Sequence, residues 1–223
     1  ILNLRDDFKI NTLVETGTFR GVNAEMYSKY FENVLTVDVN KGYLSMAKKR
    51  LQNCSNVTIY EMNSWKLLRK FVSRYNEEGR TDTVLYYLDA HFYDSSLSIE
   101  DRWVVIKELQ ELRNVDNCII YIDDFDCSNL GHLRYGGDEL QWNLIKEYVN
   151  PKMFVYCNTR EWCDIYNVET VQELPITIDW GVRDTLEYAN SSDEKRYRGR
   201  IYLTPREIDL KKYTLKKYDY QKE

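Results

Sequence analysis

The sequence predicts an α/β fold, a doubly wound and mostly parallel seven-stranded sheet with an antiparallel hairpin at one edge. Three observations predict it. Short apolar runs alternate with segments of helical period through the first 150 residues, as in a chain of β-α-β units. Two of these runs, residues 84–88 and 118–122, are apolar throughout, which suits strands covered on both faces. Most of the runs end on or beside a carboxylate, at the end of the strand where sheets of this kind bind ligands.

The elements follow in order. Leu13 and Val14 lead into Glu15-Thr16-Gly17, a first strand that breaks at a glycine, and residues 24–31 make a short helix. Residues 34–38 form a second strand ending on Asp38. The helix 43–51 places Leu44, Ala47, Lys48 and Leu51 on one face. Residues 57–60 are a third strand, and 65–75 a helix with Leu67, Leu68, Phe71 and Val72 at core spacing. The strand 84–89 ends on Asp89. Residues 99–112 form a helix in which Trp103, Ile106, Leu109 and Leu112 recur every three residues. The strand 118–123 again ends on an acid, and 138–149 is a helix preceded by Gly136-Gly137. Residues 153–157 and 162–168 are two strands joined by a turn at Asn158-Thr159-Arg160. Beyond them, 191–200 is a polar loop, and 211–222 is a solvated tail or a helix docked by its aromatics.

At 223 residues the chain has room for one large domain with a single core. No linker stands before about residue 170, so 1–170 is the core and 171–223 a C-terminal elaboration of the same domain. With 30% charged and 43% hydrophobic residues the composition is globular, which excludes extensive disorder. No apolar run approaches the roughly 18–20 residues of a membrane span. A net charge of −5 without a basic stripe argues against nucleic-acid partners. The five cysteines are odd in number and show no C-x-x-C; reduced thiols in a cytoplasmic setting are expected rather than a disulfide framework or a zinc ribbon. Arg5, Asp6 and Asp7 interrupt any signal-peptide apolar run. The chain opens on Ile1 rather than Met, which leaves room for domains fused to it in a longer polypeptide.

The chemistry gathers at the carboxyl ends of the strands: Glu15, Thr16 and Gly17, then Asp38, then Asn63-Ser64, then Asp89-Ala90-His91, then Asp123-Asp124. Like charges converging on one rim repel unless a cation or polar ligand compensates them. The loop from Glu15 to Gly21 differs from the dinucleotide fingerprint, because Phe19 stands in place of its middle glycine. Glu15 would repel a pyrophosphate but suits a cofactor carrying an ammonium. Asp38, 21 residues after Gly17, is placed to accept from two ribose hydroxyls.

These residues resemble a class I S-adenosylmethionine-dependent methyltransferase of Rossmann-like fold. Glu15 to Gly21 is similar to motif I, Asp38 to the acid of motif II, and Asn63-Ser64 to the turn beside the adenine. With Leu88-Asp89-Ala90-His91-Phe92-Tyr93 and Ile122-Asp123-Asp124-Phe125, the chain looks nearest to macrocin-type sugar O-methyltransferases. The resemblance spans residues 11–168. It implies cofactor contacts from Glu15, Thr16, Gly17, Thr18, Phe19, Gly21, Asp38, Val39, Asn63, Ser64 and Asp89. It also implies a divalent cation on Asp89, Asp123 and Asp124, and a sugar or glycan acceptor such as a deoxysugar.

The residues themselves support a hard-donor site for Mg²⁺. A cation would lower the pKa of an acceptor hydroxyl. In the alternative, Asp123 or Asp124 caps a turn and Asp89 meets the cofactor amine. His91 is the expected general base, by position, with Asp89 as the other candidate; His132 lies in a glycine-rich loop able to close over substrate. Phe92, Tyr93, Phe125, Tyr135 and Trp142 fall near the same rim and could pack on a sugar face. Cys127 is expected to be an inert thiol. The competing functions are a metal-independent small-molecule methyltransferase, a nicotinamide-dependent enzyme, and a binding module without turnover.

Overall fold

A computed structural model of the chain describes residues 1–91, 96–125, 140–158, 199–213 and 215–218. Among these residues, eight strands form one sheet: β1 (Thr12–Thr16), β2 (Asn33–Asp38), β3 (Val57–Glu61), β4 (Val84–Leu88), β5 (Cys118–Ile122), β6 (Phe154–Asn158), β7 (Ile201–Thr204) and β8 (Leu215–Lys217). Their order is β3-β2-β1-β4-β5-β7-β6-β8. The pairs from β3 to β5 are parallel, whereas β7 runs antiparallel to both β5 and β6, and β8 antiparallel to β6. The chain reverses direction across the sheet between β1 and β4. That is the topological switch point at which ligands bind in open α/β sheets.

Helices cover both faces: α1 (Leu2–Phe8), α2 (Val22–Tyr27) and α3 (Lys41–Arg50) on one, α4 (Ser64–Glu77), α6 (Val105–Leu112) and α7 (Trp142–Ile145) on the other, with α5 (Ile99–Arg102) leading into α6. The alternation of each strand assigns its side chains to the two faces. Val14, Val37, Tyr86, Leu88, Ile120 and Ile122 pack with Leu67, Leu68, Ile106 and Leu109. Leu13, Val34, Leu85, Tyr87 and Tyr121 pack with Leu4, Ala24, Tyr27 and Ala47. β1, β4 and β5 are buried along their whole length, which is why β4 and β5 are near-continuous apolar runs.

The structure departs from the sequence expectations in places with physical causes. The sheet has an eighth strand, and both reversed strands come from the C-terminal 25 residues. Residues 201–204 enter the sheet between β5 and β6, so the sheet runs across the division drawn at residue 170. The anticipated hairpin partner, 162–168, lies outside the described residues; β6 is paired instead by β7 and β8. Residues 211–222 are neither tail nor helix where described: a 3-10 turn (Leu210–Lys212) leads into β8. Tyr218 then docks on Phe125 and Trp142 at ring distances of 6.0 and 5.7 Å. The helix expected over 99–112 breaks at Trp103, whose φ of −100° and ψ of 68° end α5. Of the helix expected over 138–149, residues 138 and 139 fall outside the described residues and α7 covers four of the rest. α1 was not anticipated. It is tied to the far end of the chain: Tyr213 Oη donates to Asp7 Oδ2 at 2.6 Å, Arg206 donates to the Asp7 carbonyl, and its guanidinium lies 4.3 Å from the Phe8 ring centroid.

Candidate active site

The turn after β1 is built around two glycines. Gly17 has φ +84°, and a Cβ there would lie 2.2 Å from the backbone oxygen of Asp89. The turn therefore presses against the end of β4, and only glycine allows the approach. Gly21 (φ +74°) begins α2 against Ala47 and Leu51. Between them Phe19 holds a left-handed φ of 46° with its ring about half exposed. That conformation costs a non-glycine residue roughly 1–2 kcal/mol. Asp38 offsets it: one carboxylate oxygen accepts from Phe19 N at 2.8 Å and the other from Asn40 N at 2.8 Å. Each oxygen retains further acceptor capacity. Val39, the next residue after β2, is 62% exposed.

Glu15 lies beneath this turn rather than on its surface. It is 1% exposed and accepts from Thr36 Oγ1 at 2.5 Å, and Thr36 Oγ1 in turn accepts from Thr18 Oγ1 at 2.7 Å. Burial pushes its pKa up to about 8; the Thr36 hydrogen bond opposes this, and Asp89 and Asp38 add to the rise. On the opposite face of the sheet, the Thr16 hydroxyl and carbonyl both accept from Asp89 N, at 3.1 and 3.2 Å. Ser64 is buried as the first residue of α4, and Asn63 precedes it without capping the helix through its side chain.

Two groups that the sequence did not point to lie close by. Glu108, on α6, is completely buried and its pKa is pushed up to about 7 by that burial. The hydroxyls of Ser64 and Thr16 and the charge of His91 pull it the other way, yet neither carboxyl oxygen finds a partner at hydrogen-bond geometry. Nε1 of Trp103 is likewise buried and unpaired, and its ring lies 5.4 Å from that of His91. A glutamate inside the apolar stripe of an amphipathic helix was the available signal.

The other half of the site joins the ends of β4 and β5. Asp89, His91 and Asp124 offer ligand atoms that all lie within 4.8 Å of one another. His91 Nε2 is 2.7 Å from Asp124 Oδ2 and 3.8 Å from Asp89 Oδ1. Burial opposes a charge on His91, but the Asp124 hydrogen bond and the charges of Asp124, Asp89 and Asp123 outweigh it and raise its pKa to about 9. In the ion-free chain the imidazole therefore carries a proton at neutral pH and stands where a cation would.

Asp123 is brought to the same end of the sheet but is occupied differently. Its Oδ1 accepts from Arg200 Nε at 3.1 Å and from Asp124 N at 3.1 Å, and its Oδ2 from the Tyr87 hydroxyl at 3.1 Å. The Tyr87 hydroxyl also lies 3.2 Å from Asp89 Oδ2 and accepts from Asn23 Nδ2. Neither Arg200 nor Tyr87 was expected from the sequence. Arg200 is 77 positions from Asp123 along the chain, and Tyr87 sits in the apolar run of β4 with nothing to distinguish it from its neighbours.

Two expected aromatics turn inward: Phe125 is fully buried, and Trp142 packs on Tyr218. Phe92, Tyr93, Cys127, His132 and Tyr135 lie outside the described residues. No helix among the described residues is long and apolar enough to cross a membrane.

No protein-family model and no curated protein sequence matches the chain. Solved structures do. The chain is similar to the methyltransferase domain of bacterial CtHen1, at 14% identity over 91% of this chain and 93% of that one, with a TM-score of 0.47. It is similar to a SAM-dependent methyltransferase from Aquifex aeolicus, at 12% identity over 90% and 87%, TM-score 0.47. It is also similar to geranyl diphosphate C-methyltransferase from Streptomyces coelicolor, at 10% identity over 92% and 76%, TM-score 0.48. Likeness at this level carries no argument about activity; the α/β class rests on the strand order and pairing.

Proposed function

We propose that this chain transfers a methyl group from S-adenosylmethionine to a hydroxyl group, with a sugar or glycan as the acceptor class. The observation that carries the reading is a convergence at the switch point: Gly17, packed on the Asp89 backbone, joins the cofactor turn to the Asp89, His91 and Asp124 cluster. The residues fit the cofactor. Gly17 and Gly21 let the turn close down on β4 and α3, Asp38 has acceptor capacity left for ribose hydroxyls, and Glu15 places a carboxyl beneath the turn where an ammonium would ionise it. Phe19, Gly21, Val39, Asn63 and Ser64 line the cofactor side, with Thr16 and Thr18 shaping the turn. Bound there, the cofactor supplies an electrophilic methyl group, and the chain aligns the acceptor oxygen for in-line displacement.

The donor set also fits a divalent cation, with His91 in place of Asp123. Two carboxylates and an imidazole suit Mn²⁺ or another borderline ion at least as well as Mg²⁺. A cation there would polarise the acceptor hydroxyl. Asp89 is the most exposed member, at 23% against 11% for His91 and 8% for Asp124. In this reading Asp89 takes the acceptor proton, and His91 serves as base only where it has lost its own proton. The acceptor class itself rests on the macrocin-type resemblance. Methyl transfer to a panel of deoxysugar glycosides, measured with labelled cofactor, should vanish in EDTA and return with Mn²⁺ or Mg²⁺. Full turnover in EDTA would rule the metal out of the reaction, and no transfer to any hydroxyl acceptor would rule out the O-methylation.

A further inference from the structure

Asp123 is a buried carboxylate that the proposed chemistry does not use directly. It is 1% exposed and, among the described residues, meets donors drawn from three parts of the chain. Arg200, 5% exposed, comes from just before β7. The Tyr87 hydroxyl comes from β4, and the third donor is the amide of Asp124. Asp124 itself has φ +51°, a left-handed conformation that a non-glycine residue holds only when its surroundings enforce it. A hydrogen bond accompanies the turn: Asp123 Oδ1 takes the Asp124 N–H, and with the backbone so turned the Asp124 carboxylate lies 2.7 Å from His91 Nε2. Asp123 reaches the other acid of the cluster through Tyr87, whose hydroxyl lies 3.1 Å from Asp123 Oδ2 and 3.2 Å from Asp89 Oδ2.

We propose that Asp123, clamped by Arg200 and Tyr87, is a positioning residue that sets Asp124 against His91 and holds Asp89 opposite. Arg200 donates from Nε to Asp123 Oδ1 at 3.1 Å, and its planar guanidinium fixes the orientation of the carboxylate. β7 thereby does more than complete the sheet: it delivers the cation on which the geometry of the cluster depends. The proposal deepens the methyltransferase reading of this site and rests on it for its catalytic consequence only.

The chain holds two histidines, so the imidazole ¹⁵N and ¹H signals of His91 can be assigned with a single His132→Gln variant. The test compares wild type, Asp123→Asn, Arg200→Met and the double variant Asp123→Leu/Arg200→Met, all free of metal at about pH 6.5. Because a lone buried charge can unfold a protein where removal of the pair does not, the double variant decides if a single one fails to fold. In the folded variants the hydrogen-bonded Nε2–H signal of His91 should move to the position of a free imidazole. The dissociation constant for S-adenosylhomocysteine should stay within about twofold, and kcat should fall about ten- to a hundredfold. Arg200→Lys, which keeps the charge, should restore part of the signal. An unchanged His91 spectrum in the folded double variant would overturn the proposal. If the wild type neither binds S-adenosylhomocysteine nor transfers methyl groups, the methyltransferase reading fails, and the spectrum alone decides the positioning.

Discussion

Gly17 and Gly79 both hold positive φ, at 84° and 63°, but only Gly17 is walled in: a Cβ would meet the Asp89 backbone, whereas around Gly79 nothing lies within 4 Å. Gly79→Ala should cost about 1 kcal/mol, the left-handed penalty alone. Gly17→Ala should cost about 3 kcal/mol or more, since the end of β4 must move as well. Urea denaturation midpoints measure both, and equal costs would contradict the packing of the turn on β4. Glu15 makes a second prediction. Its folded pKa of about 8 stands above the ordinary 4.5, so the folded state favours the neutral acid. The stability it contributes is complete below about pH 4.5 and is lost as pH rises to about 8, by about 1.4 kcal/mol for each pH increment of one across that interval. His91, raised from 6.5 to about 9, acts in the same direction over its own interval. The melting temperature of the ligand-free chain should therefore fall between about pH 5 and 9. Glu15→Gln, which keeps an acceptor for Thr36, should make the fall between about pH 4.5 and 8 shallower, leaving the parts due to Glu108, raised to about 7, and His91. A wild-type slope in that variant would show that Glu15 is not the group responsible.

At the scale of elements, what the sequence disclosed was local. β4 and β5 were legible because burial on both faces leaves unbroken apolar runs, and the amphipathic α4 and α6 because one stripe meets the sheet. The break at Trp103 was hidden, since a spacing of three residues passes through it undisturbed. β7 and β8 were hidden for a different reason. At four and three residues they carry no period, and each is selected by a partner more than 40 positions away. Their contribution is nevertheless measurable. Tyr218, 9% exposed, leaves β8 to pack with Phe125 and Trp142 in the main core. Tyr218→Ala should destabilise the chain by about 3 kcal/mol. A loss below about 0.5 kcal/mol, by calorimetric or denaturant unfolding, would mean that the C-terminal strand does not seal that end of the core.

Across the whole molecule the same division separates the legible part of the site from the hidden part. Acids at strand ends are adjacent in sequence to the apolar runs that position them, so Glu15, Asp38, Asp89, Asp123 and Asp124 could be picked out directly. The sequence holds no record of which acids meet. His91 joins Asp89 and Asp124 because of a left-handed turn at Asp124, and Asp123 turns to Arg200 across 77 residues. The clasp between Asp7 and Tyr213 spans 206. Asp38 is the residue on which the proposed binding of S-adenosylmethionine in the crevice at the ends of β1 and β2 turns. Isothermal titration of the chain with S-adenosylhomocysteine should show one site. Asp38→Ala should weaken it by about 1.5–3 kcal/mol, roughly ten- to a hundredfold, as expected for lost hydrogen bonds to a charged group and a released Phe19 turn. No binding heat in the wild type, or an unchanged affinity in a folded Asp38→Ala variant, would contradict it.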